Sequence, residues 1–204
     1  RGDHDGTVDD PSVGAARSVR NGVVRGFPGA GIFLGTRARV ESVSVFNNGL
    51  VGVHVADHGL VRASTAASNA GHGIQTGASV TIDGNTADGN GQNGIQTGLA
   101  SVVTHNTVAG NAIGIAAGGS STLLANSARG NLSVGIACNG CQLIGNAAHA
   151  NNGVGFQLDA GAGYAQSILR LNNGGSDQPQ VSGGVDLGQN LCGSPDLGNG
   201  LACP

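Results

Sequence analysis

The pentapeptide GIQTG stands at Gly73–Gly77 and again, letter for letter, at Gly94–Gly98, 21 positions later. Two residue types repeat with the same spacing along most of the chain. A glycine precedes an apolar residue at Gly31, Gly52, Gly73, Gly94, Gly114, Gly135 and Gly155, and an asparagine follows at Asn48, Asn69, Asn90, Asn111, Asn131, Asn151 and Asn172. Self-similarity at a fixed period of 20 or 21 residues indicates a solenoid, in which each repeat forms one coil.

Each repeat has the pattern of short strands rather than of helices. Apolar alternations such as VESVSV at 40–45 and SVTID at 79–83 are separated by Gly and Asn. No repeat shows apolar residues at helical spacing, and the frequent Gly and Asn would interrupt a helix several times. The sequence therefore predicts an all-β parallel β-helix with about 21 residues per coil, roughly eight coils and a coil spacing of about 4.8 Å.

Aligning the repeats separates predicted core positions from predicted amide ladders. The core positions are Val40, Val61, Ile82, Val103, Leu123 and Leu143, with Val45, Ala66, Ala87, Val108, Ala128 and Ala148. The two ladders are Asn69, Asn90, Asn111, Asn131 and Asn151, and Asn85, Asn106, Asn126 and Asn146. Stacked Asn side chains can pass hydrogen bonds from coil to coil, and Asn tolerates left-handed turn backbone.

The repeat covers most of the chain but not its ends. Val19 and Val24 lie 21 residues before Val40 and Val45, which predicts one earlier coil. We therefore expect an irregular N-terminal segment over 1–18, the β-helix over 19–172, and a closing segment over 173–204. No amphipathic capping helix is visible at the start, so self-association through the solenoid ends or faces is a further expectation.

The four cysteines form two local pairs in the sequence. Cys138 and Cys141 lie in CNGC, and Cys192 and Cys203 lie in the tail. Two local disulfides in a secreted, extracellular or cell-surface protein are the favoured interpretation. A zinc site and a thioredoxin-like redox pair are the alternatives, although the chain has no second CxxC and no helical pattern around Cys138.

Composition restricts the partners. The chain has 204 residues, 39 of them Gly, and a net charge of −3; all nine basic residues are Arg. The absence of a basic cluster argues against nucleic acid, and no apolar run is long enough to span a membrane. A polysaccharide or a second copy of the chain remains as the expected partner.

The repeats NGIQTGLASVVTHNTVAGN (93–111) and VGIACNGCQLIGNAAHAN (134–151) resemble those of right-handed parallel β-helix proteins of the pectin-lyase-like superfamily. The resemblance covers about Val19 to Asn172 and implies the right-handed sense of the coils. That superfamily includes lyases, hydrolases, epimerases, adhesins and non-catalytic surface proteins, so the resemblance implies a fold but no single activity. Its lyases use Asp-bound calcium together with a basic residue.

One outward column combines charged residues. Glu41, Arg62, Asp83 and Thr104 occupy equivalent positions in successive coils. A surface ion-pair ladder explains this column, at about 0.2–1 kcal/mol per pair. The enzymatic alternative uses Asp83 as acid or base, Arg62 as partner of a substrate carboxylate, and His105 nearby.

A second outward column carries His54, Gln75 and Gln96 next to Phe33. These side chains, with Glu41, are candidates for binding sugar hydroxyls; a solvated Gln ladder is the alternative. The other histidines, including His72 in GHG, are expected to be isolated on the surface, and no metal site is predicted. A third column is Ser44, Thr65, Thr86, Thr107 and Ser127, which makes ice binding a minor alternative.

These patterns predict a secreted, non-catalytic β-helix with a structural role, as a self-assembling unit or surface scaffold, or with a weak glycan-binding role. The alternative is a polysaccharide-active enzyme, a lyase or hydrolase, acting on an acidic glycan. No cofactor is expected, and calcium enters only if the lyase alternative holds.

Overall fold

The computed structural model describes residues 17–176, 178–193 and 203, together with the backbone of Thr7–Val8. Its strands are short, parallel and stacked in about eight coils of about 21 residues, so the predicted all-β parallel β-helix is confirmed. Each regular coil contributes one strand to a first sheet and two strands, separated by a corner, to a second sheet. We call these two positions in sheet 2 its first arm and its second arm.

Sheet 1 consists of Thr7–Val8, Ile32–Leu34, Val53–Val55, Ile74–Thr76, Ile95–Thr97, Ile115–Ala117, Ile136–Cys138, Phe156–Leu158 and Val181–Ser182. The first arm of sheet 2 consists of Leu60–Arg62, Thr81–Asp83, Val102–Thr104, Thr122–Leu124, Gln142–Ile144, Gly163–Ala165 and Val185–Asp186. The second arm consists of Thr65–Ala67, Thr86–Asp88, Thr107–Ala109, Ser127–Arg129, Ala147–His149, Ile168–Arg170 and Leu191–Gly193. Ser18–Arg25 and Arg39–Phe46 run through both arms, and Asn173–Gly175 is a short 3-10 helix.

Strand pairing places residues one repeat apart side by side. Gln75 pairs with Gln96, and Val19 pairs with Val40, which confirms the earlier coil expected from the sequence. Because every coil keeps this register, each outward position forms a file of side chains along the solenoid. After Asn172 the pairing continues, since the strands Val181–Ser182 and Leu191–Gly193 join the sheets of the preceding coil.

The core is a narrow column of aliphatic side chains. Both predicted core files are fully buried, with Ile82 and Ala87 among the residues at 0% exposure. Sheet 1 adds large side chains such as Ile95, while the second arm supplies mostly alanine. Large and small residues on facing sheets fill a thin interior without the aromatic bulk of a conventional core.

The asparagine ladders lie inside the coil corners and are completely hydrogen-bonded. Asn90 donates its two side-chain N–H groups to Asn111 Oδ1 at 3.0 Å and to the Ala66 carbonyl at 3.0 Å. Its own Oδ1 accepts the backbone N–H and the side-chain N–H of Asn69. Both predicted ladders are confirmed, and the longer one ends with Asn172 donating to Gln180 Oε1 at 2.9 Å.

Left-handed backbone turns the chain immediately before each ladder asparagine. Gly84 has φ of 65° before Asn85, and His105 has φ of 55° before Asn106. This conformation is costly for residues with a Cβ, so the hydrogen bonds of the following asparagine have to stabilise it. The side chain of His105 consequently stands at an exposed corner between the two arms.

The cysteines form the two local disulfides that the sequence favoured, Cys138–Cys141 and Cys192–Cys203. Cys138 and Cys141 are both buried at one interior corner. The equivalent positions one coil earlier in the core are Ala117 and Ser121. The two cysteines of CNGC therefore form an internal disulfide cross-link rather than a zinc site or a dithiol.

We predict that Asn106→Ala lowers the free energy of unfolding by about 1–3 kcal/mol, because it leaves buried groups of Asn85, Asn126 and the Ile82 carbonyl without partners. Asn152→Ala, which alters an exposed asparagine, should change stability by less than about 0.5 kcal/mol. Urea unfolding of both variants measures the difference. Equal stabilities for the two would show that the ladder does not hold the coils together.

Candidate functional site

The outward file of sheet 1 carries rings in its first coils and amides in the next. Phe33 pairs with His54, His54 with Gln75, and Gln75 with Gln96. The rings of Phe33 and His54 stack with centroids 4.3 Å apart and an interplanar angle of 12°. The predicted candidates His54, Gln75 and Gln96 therefore lie on consecutive coils and form one continuous strip.

His72 and Asn93 extend this strip sideways. They occupy a file that is apolar in the other coils, with Ala30, Val51, Ile113, Val134 and Val154. The backbone N–H of Asn93 donates to His72 Nδ1 at 3.2 Å, and its side-chain N–H donates to Gln96 Oε1 at 2.7 Å. Since Nδ1 accepts, the hydrogen bond assigns the proton of neutral His72 to Nε2.

We call the resulting area the polar strip, defined by Phe33, His54, His72, Gln75, Gln92, Asn93 and Gln96. Phe33, His72, Gln75 and Gln92 line a shallow depression within it, bordered by Leu50. Leu50 is 58% exposed and Phe33 is 37% exposed, so apolar surface faces solvent beside the amides. Apolar surface with a few convergent polar groups is the usual composition of a small-molecule or sugar site.

Burial keeps the two histidines of the strip neutral. Burial lowers the pKa of His54, although a hydrogen bond from its ring to Gln75 opposes the shift. Burial also lowers the pKa of His72. Nδ1 of His54 is buried with no hydrogen-bond partner among the described residues, which adds to the cost of protonating that ring. The polar strip therefore carries no formal charge at pH 7.

His72 was not among the sugar-binding candidates, and Glu41, which was, lies on the other sheet. His72 was expected to be isolated, yet it contacts the strip through Asn93. The available signal was the replacement of apolar residues by His and Asn in two consecutive repeats. Glu41 lies in sheet 2, where it pairs with Arg20 and Arg62, and not with the other candidates of sheet 1.

The enzymatic candidates form a separate group in sheet 2. Glu41 bridges Arg20 and Arg62, each at 3.2 Å. Asp83 Oδ1 accepts a hydrogen bond from Thr104 Oγ1 at 2.8 Å and lies 3.1 Å from His105 Nδ1. Among the described residues no ion pair joins Arg62 to Asp83, so the charge ladder is interrupted there.

The environment of Asp83 favours its ionised form. The hydrogen bond from Thr104, followed by that from His105, lowers the pKa of this exposed carboxyl below its usual value. The hydrogen bond from Thr104 also joins two adjacent coils.

Other site types have little support in the part of the chain that the structure describes. No three His, Cys, Asp or Glu side chains there are grouped so as to hold a metal ion. The Thr65, Thr86 and Thr107 file exists, but the neighbouring file carries Asp88 and Arg129, which interrupt the flat surface that ice binding needs. No helix in those residues has the length and apolar character to cross a membrane.

Comparison with known proteins identifies the family. A family model described as a right handed beta helix region matches residues 13–152, and the chain belongs to that family. The handedness implied by the resemblance is thereby confirmed. None of the curated protein sequences that were compared matches the chain.

Solved structures share the fold at low identity. The Azotobacter vinelandii mannuronan C-5 epimerase AlgE6 A-module matches with a TM-score of 0.71 at 15% identity, covering 88% of this chain and 58% of that one. The periplasmic alginate epimerase AlgG matches with a TM-score of 0.62 at 19% identity, covering 78% and 47% respectively. The chain thus spans about half the length of these proteins, and the likeness concerns the fold alone.

We predict that acidification destabilises the fold through the two half-buried histidines, His54 and His72. Their folded-state pKa values lie below the value of about 6.5 in the unfolded chain, so their stabilising contribution is complete above pH 6.5 and is lost as pH falls through the folded pKa values. Melting temperatures between pH 8 and 5 should fall less steeply in His54→Gln than in the wild type.

The matched control is His58→Gln, which removes an exposed histidine outside the polar strip. It should keep the wild-type pH dependence. A pH profile of His54→Gln that is parallel to the wild type would contradict the half-buried, neutral state of His54.

Proposed function

We propose that this protein is an extracellular, non-catalytic β-helix that binds an uncharged polysaccharide along the polar strip. The observation that carries the proposal is the continuity of the strip. The stacked rings of Phe33 and His54 are followed, on the next two coils, by the amides of Gln75 and Gln96. Four coils at about 4.8 Å extend over roughly 14 Å, which suits an extended oligosaccharide rather than a single sugar.

The chemistry of the strip favours hydroxyl groups. The exposed part of Phe33 offers apolar surface to the apolar side of a sugar. Gln75, Gln96 and the Nε2–H of His72 offer donors and acceptors, which match sugar hydroxyls. No cation lies in the strip to offset the desolvation of a bound carboxylate, so a neutral sugar chain fits better than a uronate.

The absence of an acid–base pair from the strip supports a binding role. The described carboxylates are Glu41, Asp57, Asp83, Asp88, Asp159 and Asp186, and none of them lines the depression. Asp57 accepts the backbone N–H of Ala78, and Asp159 accepts that of Gly140, so these two act in turns. Glycoside hydrolysis generally needs two carboxyl groups facing one bond.

The test is binding of neutral oligosaccharides of glucose, xylose or mannose, with uronate oligomers in parallel, by isothermal titration calorimetry. We expect a neutral oligosaccharide to bind, and Phe33→Ala and Gln75→Ala to weaken that binding about tenfold, through loss of ring stacking and of amide hydrogen bonds. Gln157→Ala is the control, because Gln157 continues the same file three coils beyond Gln96.

Two outcomes would count against this proposal. The first is the lack of measurable binding of every neutral oligosaccharide by the wild-type protein. The second is an equal loss of affinity in Gln157→Ala and Gln75→Ala, since binding would then not be located at the polar strip.

The second candidate function is a polysaccharide-active enzyme, supported by the names of the structural relatives, which are epimerases. Such an enzyme would use Asp83, Arg62 and His105, and calcium if it were a lyase. Incubation with alginate and polygalacturonate, with and without calcium, tests it. Turnover that disappears in Asp83→Asn and Arg62→Ala, at unchanged melting temperature, would replace binding by catalysis as the function.

We propose a secreted location because the protein has two disulfides, which persist in oxidising compartments. Self-association through the solenoid ends or faces, as in a surface scaffold, is a separate proposal, motivated by the open strand edges of a stacked solenoid. Sedimentation at micromolar concentrations tests self-association, and a single monomeric species at every concentration would exclude it.

A further inference from the structure

A second surface with a different chemistry lies on the second arm of sheet 2. Arg129 pairs directly with His149, and His149 pairs directly with Arg170. All three side chains are exposed. We call these three residues the cationic file. It lies on a different sheet from the polar strip, so it is independent of the proposed function.

The strand itself does not require cations at these positions. Earlier coils carry Ala67, Asp88 and Ala109 in the same file, so a small or acidic residue is accepted there. Strand pairing therefore gives no structural reason for two arginines in this file.

Among the described residues, no carboxylate pairs with Arg129 or Arg170. The described salt bridges of arginine are those of Arg20 and Arg62 with Glu41, on the other arm. The nearest carboxylate in the file is that of Asp88, two coils from Arg129, with Ala109 between them. The guanidinium groups of Arg129 and Arg170 are thus available to an external anion.

The backbone amides next to the cationic file are already hydrogen-bonded, so a ligand there would be bound by side chains. Gly130 N–H donates to the carbonyl of His149, and Ala150 N–H donates to that of Arg170, so these turn amides are already used. Gly130 and Ala150 have left-handed φ of 59° and 53°, which fixes the corner next to the file. The arginine side chains therefore project from a rigid support.

We propose that the cationic file binds an acidic glycan, through carboxylate or sulfate groups that recur along the sugar chain. Successive strands are about 4.8 Å apart, so the strand positions of Arg129 and Arg170 lie about 10 Å from each other. A small inorganic anion could contact only adjacent residues of the cationic file, whereas a polymer with repeated charges could contact all three. Guanidinium groups bind carboxylate and sulfate oxygens through paired hydrogen bonds.

The test measures binding of immobilised polygalacturonate and dextran sulfate, with uncharged dextran as reference. We expect the wild type to bind at least one charged polymer at low ionic strength and to lose it in 0.5 M salt, because exposed charges are screened. Arg129→Gln combined with Arg170→Gln should weaken binding at least tenfold. Comparison of polygalacturonate with dextran sulfate shows whether the cationic file prefers carboxylate or sulfate groups.

The matched control is Arg20→Gln combined with Arg25→Gln, which changes the net charge equally but removes arginines that already contact Glu41 and the Phe46 ring. It should weaken binding less than threefold. Equal losses in the two double variants would overturn the proposal, because net charge alone would then explain binding. Tighter binding of duplex DNA than of either glycan would also overturn it.

Thermal unfolding excludes a structural explanation for the loss. The Arg129→Gln and Arg170→Gln variant should melt at the wild-type temperature, because neither arginine pairs with a carboxylate among the described residues. A melting temperature several degrees lower would show that the arginines stabilise the fold, and would contradict their assignment to a ligand.

Discussion

The side-chain amide of one asparagine per corner is the contact on which this structure depends. Each amide donates twice and accepts twice, joining its own coil to the next and to the preceding turn, as at Asn90. Because the amides are buried, a shift of register would leave several polar groups unpaired at once. The ladders thus hold the coils in one register and free the outward positions for other roles.

The sequence predicts this interior well because the same physical demand recurs in every coil. Gly, Asn and small aliphatic residues recur at fixed positions in each repeat, so the seven repeats can be aligned with one another. The exterior is harder to predict. The contact between Asn93 and His72 joins two adjacent coils, so a single repeat does not show it. Glu41 and His54 both point outward but lie on different sheets. The positions of the corners decide to which sheet an outward residue belongs, and periodicity does not reveal those positions.

The two proposed surfaces differ in charge, although they lie on one scaffold. The polar strip is neutral because burial suppresses protonation of His54 and His72. The cationic file lies on the other sheet, and its guanidinium groups pair with no carboxylate in the part of the chain that the structure describes. A solenoid permits such a division, since each file can change without disturbing the core.

The Cys138–Cys141 disulfide lies within one coil, because its cysteines are three positions apart and a coil takes about 21 residues. It therefore adds no covalent link between that coil and its neighbours, which are held to it by hydrogen bonds and packing. Because each coil contacts only its neighbours, loss of an end coil would leave the interior coils paired as before.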